Sequence, residues 1–386
     1  MKRNSSRFVR CLILGLLLFP TAAFADAGTP MMWLGVFHLF IGNALVGLGE
    51  GLLIAWLFRV RKLRSILIMV PANYTSMIAG NACIGLLSYH FQSAFMGEEG
   101  FYHVLWALWL TGIGSWLLSV VVEWPFCLWI LKDKPNRGRT SAFASLIAQT
   151  ASYAVLVPLY LSAGSIDLYT KVSRDPSLQF ARDVHAVVYF IDPNDGGVYR
   201  ICANGSNLQK LVDAGLTNYD TGLFLGPGDW WTNIDLWAYR SSREANDVLL
   251  LRDLPQVLPA DIYPSNILPA GVISPSTNGQ ESIQKAWLLR HVTADLRPPS
   301  DRDWDVRTGF WPVEGLRATK AGTGERLHLA LETPFVSFSM NNATVLPGNK
   351  VIFEGGNQIL ILDIEKRVIG LLAYGRSPVV AVGNCP

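Results

Sequence analysis

The sequence contains little charge and few cysteines, and neither is arranged as in a soluble metalloenzyme. Only 16% of the residues are charged, whereas 50% are hydrophobic, which is a high apolar fraction for a soluble enzyme. The cysteines form no C-x-x-C pair and no other cluster with the spacing of zinc ligands, so we predict no metal site. The five cysteines are Cys11, Cys83, Cys127, Cys202 and Cys385.

Motifs that identify common enzyme classes are also missing. The chain has no G-x-S-x-G nucleophile elbow. The glycine-rich stretch 43–51 follows no strand and precedes no Lys-Ser or Lys-Thr, so we interpret it as close helix packing instead of a phosphate loop. The alternating acids Asp301, Asp303 and Asp305 resemble a calcium loop, but Val306 occupies the position that requires glycine. We therefore predict no catalytic residue and no cofactor.

The charges that are present divide the chain in two. Up to Ser165 there are 12 Lys+Arg and 6 Asp+Glu, a net charge of +6, whereas the remainder has 20 and 24, a net charge of −4. A basic, apolar first part is typical of membrane segments joined by basic loops. The sequence has no basic stripe with interleaved aromatic residues, so we predict no nucleic-acid partner.

Residues 1–25 have the pattern of a secretory signal peptide. Four basic residues precede a short apolar run at 11–19, and an Ala-Phe-Ala cleavage pattern ends at Ala25. The apolar run is too short to span a bilayer. An uncleaved membrane anchor is the alternative interpretation.

Four apolar segments predict a four-helix transmembrane domain within residues 26–164. Each segment has roughly 19 to 30 residues, which is enough to cross a bilayer with some tilt. The predicted spans are 31–58, 65–89, 102–131 and 143–161.

The charges between the spans orient them. The first connection, 59–64, and the third, 132–139, contain four basic residues each, whereas the second, around 98–100, contains none. Basic loops stay in the cytoplasm, so the mature N-terminus and the chain after Ser165 are predicted to lie outside it. The signal peptide independently requires this orientation. We expect a multi-pass protein of the inner or plasma membrane, surrounded by the lipid bilayer, with its C-terminal domain outside the cytoplasm.

The second part of the chain has a β-type pattern. We interpret the mixed polar stretch 165–183 as a linker and 184–386 as an extracytoplasmic β-rich domain. Four successive antiparallel strands with short turns make one propeller blade. The predicted strands lie at 187–191, 198–201, 350–354, 358–363, 368–372 and 379–382.

Two segments of this domain resemble known propeller repeats. Residues 187–206 resemble the first half of a blade in YWTD-type propellers. Residues 351–382 are similar to YVTN- or NHL-type repeats, with Leu362-Asp363 before a turn and a bend at Gly375-x-Ser377-Pro378. The resemblance implies a propeller-like domain, and its length allows four or five blades.

The middle of the domain departs from this pattern. The stretches 226–231, 254–275 and 297–311 do not match propeller blades. A β-sandwich or an irregular β domain is therefore the alternative fold.

Each predicted span contains one polar residue at a similar depth. Glu50 and Glu123 precede a basic connection by nine positions, Asn73 follows one by nine, and Gln149 follows one by ten. At 1.5 Å of rise per residue, all four lie about 13 to 15 Å from the cytoplasmic charges. We predict that they form one intramembrane polar layer, and helical spacing places Asn43 on the face of Glu50.

This polar layer has two interpretations. A charge at this depth costs about 2.5 to 3.5 kcal/mol, so the layer could be a site for an ion, a proton or a cationic or hydroxylated ligand. The alternative is structural, in which protonated Glu hydrogen-bonds to Asn or Gln and joins the helices. Each such contact is typically worth only about 0.6 kcal/mol.

The outer domain offers two further features. Trp230, Trp231 and Trp237 could stack on a sugar or a peptide, with core packing as the alternative. Cys202 and Cys385 are the only cysteines predicted to lie in the oxidising compartment, and closure of a propeller would bring them together, so we predict a disulfide. Free thiols or pairing with another chain remain the alternatives.

Two functions are compatible with these patterns. The first is an integral membrane protein that presents an extracytoplasmic binding or scaffold domain to a protein or ligand partner. The second is a small membrane carrier or sensor that uses the intramembrane Glu/Asn/Gln layer. A propeller hosts many functions, so the fold does not decide between them.

Overall fold

The computed structural model describes residues 29–86, 100–218, 221–227, 234–240, 247–254, 293–309, 314–383 and 385. An N-terminal helical region is followed by a C-terminal all-β region, as the sequence predicts. The chain divides into two compact units. The first contains the described residues up to Ile78 and Trp116–Gly164, and the second contains those of Ala79–Ser115, Ser165–Gly309 and Glu314–Pro386. The predicted signal peptide, 1–25, lies outside the described residues.

Long helices form the N-terminal region. The first stretch consists of α1, a π-helical turn and α2, and the tertiary amide of Pro30 is suited to the first position of α1 because it lacks an N–H group. The elements are α1 (Pro30–Phe37), the π-turn (His38–Gly42), α2 (Asn43–Phe58), α3 (Lys62–Leu86), α4 (Gly100–Ile130) and α5 (Arg137–Ala163).

Three of these helical stretches are long and apolar enough to cross a membrane, namely Pro30–Phe58, Phe101–Ile130 and Arg137–Ala163. The sequence predicts four spans, and the difference lies in α3. This helix has 25 residues, which is sufficient length, but polar residues such as Asn73 and Ser76 lower its mean hydropathy. Its predicted end at residue 89 lies outside the described residues.

The first unit carries apolar side chains on its outside. Trp56 is 73% exposed and Val155 is 69% exposed. Its interior contains an apolar cluster but also several buried polar side chains. This distribution is suited to a lipid surround, in which the exterior is apolar and polar groups must be satisfied internally.

The two basic connections lie at the same end of the first unit. Arg59, which follows α2, adopts a left-handed conformation, and its N–H donates to the carbonyl of Ala55. Arg64 at the start of α3 donates to the carbonyl of Trp129 near the end of α4, at 2.6 Å. Trp129 lies three positions before the basic connection 132–139, so this contact brings the two basic connections together.

Sixteen strands form four sheets among the described residues of the β region. The sheet orders are β1-β15-β14-β13-β12-β8, β11-β10-β9, β16-β2-β3-β4 and β5-β6-β7. The strands are β1 (Ser173–Arg174), β2 (Ala186–Ile191), β3 (Val198–Cys202), β4 (Gln209–Val212), β5 (Thr221–Pro227), β6 (Ile234–Arg240), β7 (Val248–Leu251), β8 (Ala294–Asp295), β9 (Trp304–Gly309), β10 (Gly315–Lys320), β11 (Arg326–Leu329), β12 (Met340–Leu346), β13 (Lys350–Gly355), β14 (Gln358–Asp363), β15 (Val368–Tyr374) and β16 (Arg376–Val382).

The stretch interpreted as a linker, 165–183, has structure of its own. It contains the short helix α6 (Asp167–Thr170) and strand β1, which pairs in parallel with β15. The side chain of Leu168 is fully buried in the core of the β region. These residues therefore pack as part of the second unit.

The last strand does not stay with the strands before it. The sequence pattern places 379–382 in one blade with 350–372, whereas β16 pairs antiparallel with β2, so that Val380 lies opposite Val188. The edge of β13 that is free of β14 is occupied by β12 instead. Within the described residues, these four sheets form no closed barrel or propeller.

The start of β16 contacts two other sheets. Arg376 donates to the carbonyl of Thr221 in β5 at 2.9 Å. Ser377 accepts from the N–H of Leu223 at 2.8 Å, and its own N–H donates to a carboxylate oxygen of Glu354 in β13 at 2.7 Å. Arg376 and Ser377 therefore link three of the four sheets.

Candidate functional site

Six polar side chains from four helices converge inside the first unit, and we call them the carboxyl cluster. Four are the residues of the predicted polar layer, and two more, Ser76 and Ser152, join them. Glu123 is 1% exposed and Glu50 is 2% exposed, so both acids are removed from solvent. The members are Glu50 of α2, Asn73 and Ser76 of α3, Glu123 of α4, and Gln149 and Ser152 of α5.

Gln149 lies between the two acids. Its Nε2 is 2.9 Å from Oε1 of Glu50 and 2.6 Å from Oε2 of Glu123. An amide nitrogen carries two hydrogens, so it can donate one to each carboxyl group. One side chain on α5 therefore joins the acids of α2 and α4.

The other donors complete the cluster. Asn73 donates to Oε2 of Glu50 at 2.7 Å, and Ser152 donates to Oε1 of Glu50 at 2.6 Å. Ser76 donates to Oε1 of Glu123 at 2.8 Å. All four carboxyl oxygens thus accept at least one hydrogen bond, as buried polar atoms require.

Helical spacing explains how the two serines enter the cluster. Ser76 follows Asn73 by three positions, and Ser152 follows Gln149 by three. Residues separated by three positions lie on the same helix face, one turn apart. Sequence analysis missed both serines, although this spacing could have identified them.

The cluster contains two acids and only neutral donors. Neither Glu50 nor Glu123 has an ion-pair partner among the described residues, and both accept a hydrogen bond from the same atom, Nε2 of Gln149. Two ionised carboxylates held around one amide group repel each other, and a proton on one of them removes that repulsion. The arrangement is therefore chemically suited to hold a proton shared between two carboxyl groups.

The geometry does not resemble a metal site. In the part of the chain that the structure describes, no group of three or more His, Cys, Asp or Glu side chains is placed to hold a metal ion. Amide and hydroxyl groups donate hydrogen bonds to the carboxyl oxygens, so those oxygens already have partners. A hard cation would have to replace those donors.

Asn43 lies outside the carboxyl cluster. Its Nδ2 donates to the carbonyl of His38 at 3.0 Å and contacts Sδ of Met77 at 3.0 Å. It is buried, as is Glu50. Asn43 thus supports the π-turn about two helical turns before Glu50.

The predicted stacking residues are only partly described. Trp230 and Trp231 lie outside the described residues. Trp237 lies opposite Phe224 in the β5–β6 pair, and the two rings stack with centroids 6.4 Å apart. One face of the Trp237 ring is therefore covered by Phe224 of the same sheet.

Cys202 and Cys385 are joined as a disulfide, with Cα atoms 5.8 Å apart. Cys202 ends β3, and β3 pairs with β2, which pairs with β16. This strand order places Cys385, which follows β16, near Cys202 at the end of β3. The other described cysteines, Cys83 and Cys127, are free.

Asp195 on the surface of the β region forms an ion pair with Lys210. Nζ of Lys210 lies 2.8 Å from Oδ2 of Asp195, and this hydrogen bond lowers the pKa of Asp195 to about 2. The hydroxyl of Tyr199 also donates to Asp195. Exposed pairs of this type contribute little to stability, and a permanently ionised aspartate is poorly suited to proton transfer at neutral pH.

The chain matches no protein-family profile and no curated protein sequence.

Proposed function

We propose that this protein is a multi-span membrane carrier or sensor in which Glu50 and Glu123 bind and release a proton. The observation that carries the proposal is the pair of buried carboxyl groups joined through Nε2 of Gln149, with neutral donors only. An intramembrane acid is by default a functional residue, because its insertion costs about 2.5 to 3.5 kcal/mol.

A purely structural role accounts less well for two acids. Interhelical hydrogen bonds in membranes average about 0.6 kcal/mol, and a Gln or Asn at either position would supply them without a titratable group. The acids add the ability to gain and lose a proton. A change in the shared proton would change the hydrogen bonds between α2, α4 and α5, and this is the type of local event that biases helix packing in a carrier or sensor.

We propose that α3 is the fourth span. Asn73 and Ser76 on this helix donate to the two acids. Gly47 and Gly51 of α2 lie against the backbone of α3, where an added Cβ would be 2.7 Å from Cα of Val70 and of Ile66. A helix with such contacts can place its polar residues inside the bundle and its apolar residues toward lipid.

We propose the orientation with both basic connections in the cytoplasm and the β region outside it, at the inner or plasma membrane. The positive-inside rule supports this assignment. The Cys202–Cys385 disulfide supports it independently, since disulfides persist in oxidising compartments. In this orientation, the predicted signal peptide at 1–25 would direct the N-terminus outward.

The β region is our second functional candidate, a propeller-like binding or scaffold domain for an extracytoplasmic protein or ligand. The observation that favours it is the pairing of β16, the last strand, with β2 near the start of the region. The contacts of Arg376 and Ser377 with β5 and β13 are consistent with sheets arranged around a common centre. A domain whose last strand is held by contacts with three sheets would present a rigid surface to a partner.

The proton site can be tested by infrared difference spectroscopy on the purified full-length protein in lipid vesicles. We expect a protonated-carboxyl band that titrates with pH and is altered in E50Q and in E123Q and absent in the double variant. E325Q, which changes an exposed glutamate paired with Arg367, is the matched control and should leave the band intact.

Protein amount and thermal stability are measured in parallel. A band that is unchanged in the double variant, with the protein folded, would overturn the proposal. Failure of the double variant to accumulate, together with no titrating band in the wild-type protein, would assign the cluster a structural role only.

A further inference from the structure

A second polar pair lies in the first unit, farther along the helices from the basic connections. Nδ1 of His38 hydrogen-bonds to the hydroxyl of Tyr160. The two rings stack with centroids 5.7 Å apart and an interplanar angle of 30°. Both residues are half-buried within predicted spans. A histidine in this setting is a candidate proton carrier, because imidazole exchanges protons near neutral pH.

The π-turn aligns this pair with the carboxyl cluster. Three turns of a regular helix take about 11 residues, and the π-turn uses one extra residue. His38, twelve positions before Glu50, therefore lies on the same face as Glu50. Tyr160 follows Gln149 by eleven positions, again about three turns. The two helices thus form a second layer about 16 to 18 Å from the first.

Local sequence holds the His38 ring in place. The backbone N–H of Asn43 and its Nδ2 both donate to the carbonyl of His38, whose regular helical partner is displaced by the π-turn. Gly42 lies directly against the ring, and a Cβ there would be 3.0 Å from Cδ2 of His38. Gly42 and Asn43 therefore form the support of His38.

Tyr153 lies between the two layers. It precedes Tyr160 by seven positions and follows Gln149 by four, so all three lie on one face of α5. Tyr153 interacts electrostatically with Tyr160 and with both acids.

The titratable groups around this path can be named. Those that interact with the two acids are Tyr153 and Cys127, both neutral side chains. Tyr160 is the titratable partner of His38, and Asn43 is its other polar neighbour. In the described part of the first unit, no Lys, Arg, Asp or further Glu forms an ion pair or a hydrogen bond with these groups.

We propose that His38 and Tyr160 form the station through which the carboxyl cluster exchanges protons with the side opposite the basic connections. This inference rests on the proposed function. The Nδ1–H bond of a His38 imidazolium breaks as a proton passes to the oxygen of Tyr160, which releases its own hydroxyl proton toward Tyr153. Water carries the proton across the remaining gaps, and one glutamate carboxylate receives it, so charge and protons balance without any redox partner.

The test measures the rate at which the carboxyl band changes after a rapid pH jump, using the full-length protein in vesicles. H38Q retains a hydrogen-bonding side chain but cannot take up a proton, and we expect exchange to be about a hundredfold slower. Y160F removes the hydroxyl and should slow exchange similarly. G42A places a methyl group against the imidazole ring and should slow exchange without removing any titratable group. H103Q, the same change at an exposed histidine of α4, is the matched control and should exchange at the wild-type rate.

The equilibrium amplitude of the band separates the two proposals. A normal amplitude with slow exchange supports the station. A normal amplitude with wild-type rates in both H38Q and Y160F would overturn it and leave the carboxyl cluster as the proton site. Absence of a titrating band in the wild-type protein would overturn the proposed function and the station with it. If H38Q does not fold, Y160F and G42A decide the outcome by the same criteria.

Discussion

Gly47 of α2 lies so close to Val70 of α3 that an added Cβ would be 2.7 Å from Cα of Val70 and 2.8 Å from the carbonyl oxygen before it. Both obstacles are backbone atoms, which cannot move aside as a side chain can. The contact brings the helix that carries Glu50 against the helix that carries Asn73. Gly51, one turn later, makes the same type of approach to Ile66.

The first prediction follows from this contact. G47A should lower the free energy of unfolding by about 1 to 3 kcal/mol, since overpacking forces the two backbones apart. G49A is the control, because a Cβ at Gly49 meets nothing within 4 Å. Thermal unfolding of the two purified variants in the same detergent provides the comparison. Equal stability of the variants would contradict the close packing of α2 on α3.

The second prediction concerns the side chain that joins the two acids. Q149L should lower the free energy of unfolding by about 1 to 2 kcal/mol, because Oε2 of Glu123 loses its donor inside the bundle. T150V is the control, since Thr150 is exposed and bonds only to the carbonyl of Leu146 in its own helix. We expect T150V to change stability by less than about 0.5 kcal/mol. A wild-type unfolding temperature for Q149L would mean that Gln149 does not join the helices.

The residues of the carboxyl cluster could largely be predicted from the sequence, because two simple quantities determine where a helical residue lies. Distance from a basic loop gives the depth of a residue, and spacing of three or four gives its face. Both place Glu50, Asn73, Glu123 and Gln149 together. Asn43 satisfies the same face rule but lies about two turns from Glu50, and its side chain donates to the carbonyl of His38 in the π-turn instead. A π-turn has no sequence signal that we could use.

The β region was less predictable, because its pattern is interrupted by charge. The stretch 297–311 does not match a propeller blade, yet strand β9 lies there, with Trp304 and Val306 buried and Asp305 and Arg307 exposed. Asp303, which belongs to the apparent calcium pattern, pairs with the buried Arg297. The partner of β16 depends on contacts between distant parts of the chain, and local periodicity contains no information about them.

The third prediction concerns topology. A reporter enzyme that is active only outside the cytoplasm should be active when fused after Ser165 and inactive when fused at Leu63, which lies in the first basic connection. The reason is that basic connections are retained in the cytoplasm. A cytoplasm-specific reporter at the same two positions is the control and should give the opposite result. Activity of the first reporter at Leu63 and not after Ser165 would reverse the orientation and place the β region inside.

The last prediction is that the Cys202–Cys385 disulfide stabilises the β region. The two residues are 183 positions apart. In the chain-entropy model, a disulfide that closes so long a loop lowers the entropy of the unfolded chain and stabilises the folded state by up to about 5 kcal/mol. C385S should therefore unfold at a lower denaturant concentration than the wild-type protein, and a reducing agent should lower the wild-type value to the level of the variant. C83S, which changes a cysteine that is free, is the control and should retain the response to reduction.

Two results would contradict this prediction. Mass spectrometry of protein taken from its native membrane could find free thiols at both positions, which would remove the bond and, with it, the independent support for an oxidising location. Alternatively, the bond could be present while C385S unfolds as the wild-type protein does. Pairing of β16 with β2 would then be sufficient to hold the last strand in place, because that pairing already brings Val380 opposite Val188 without help from the sulfur atoms.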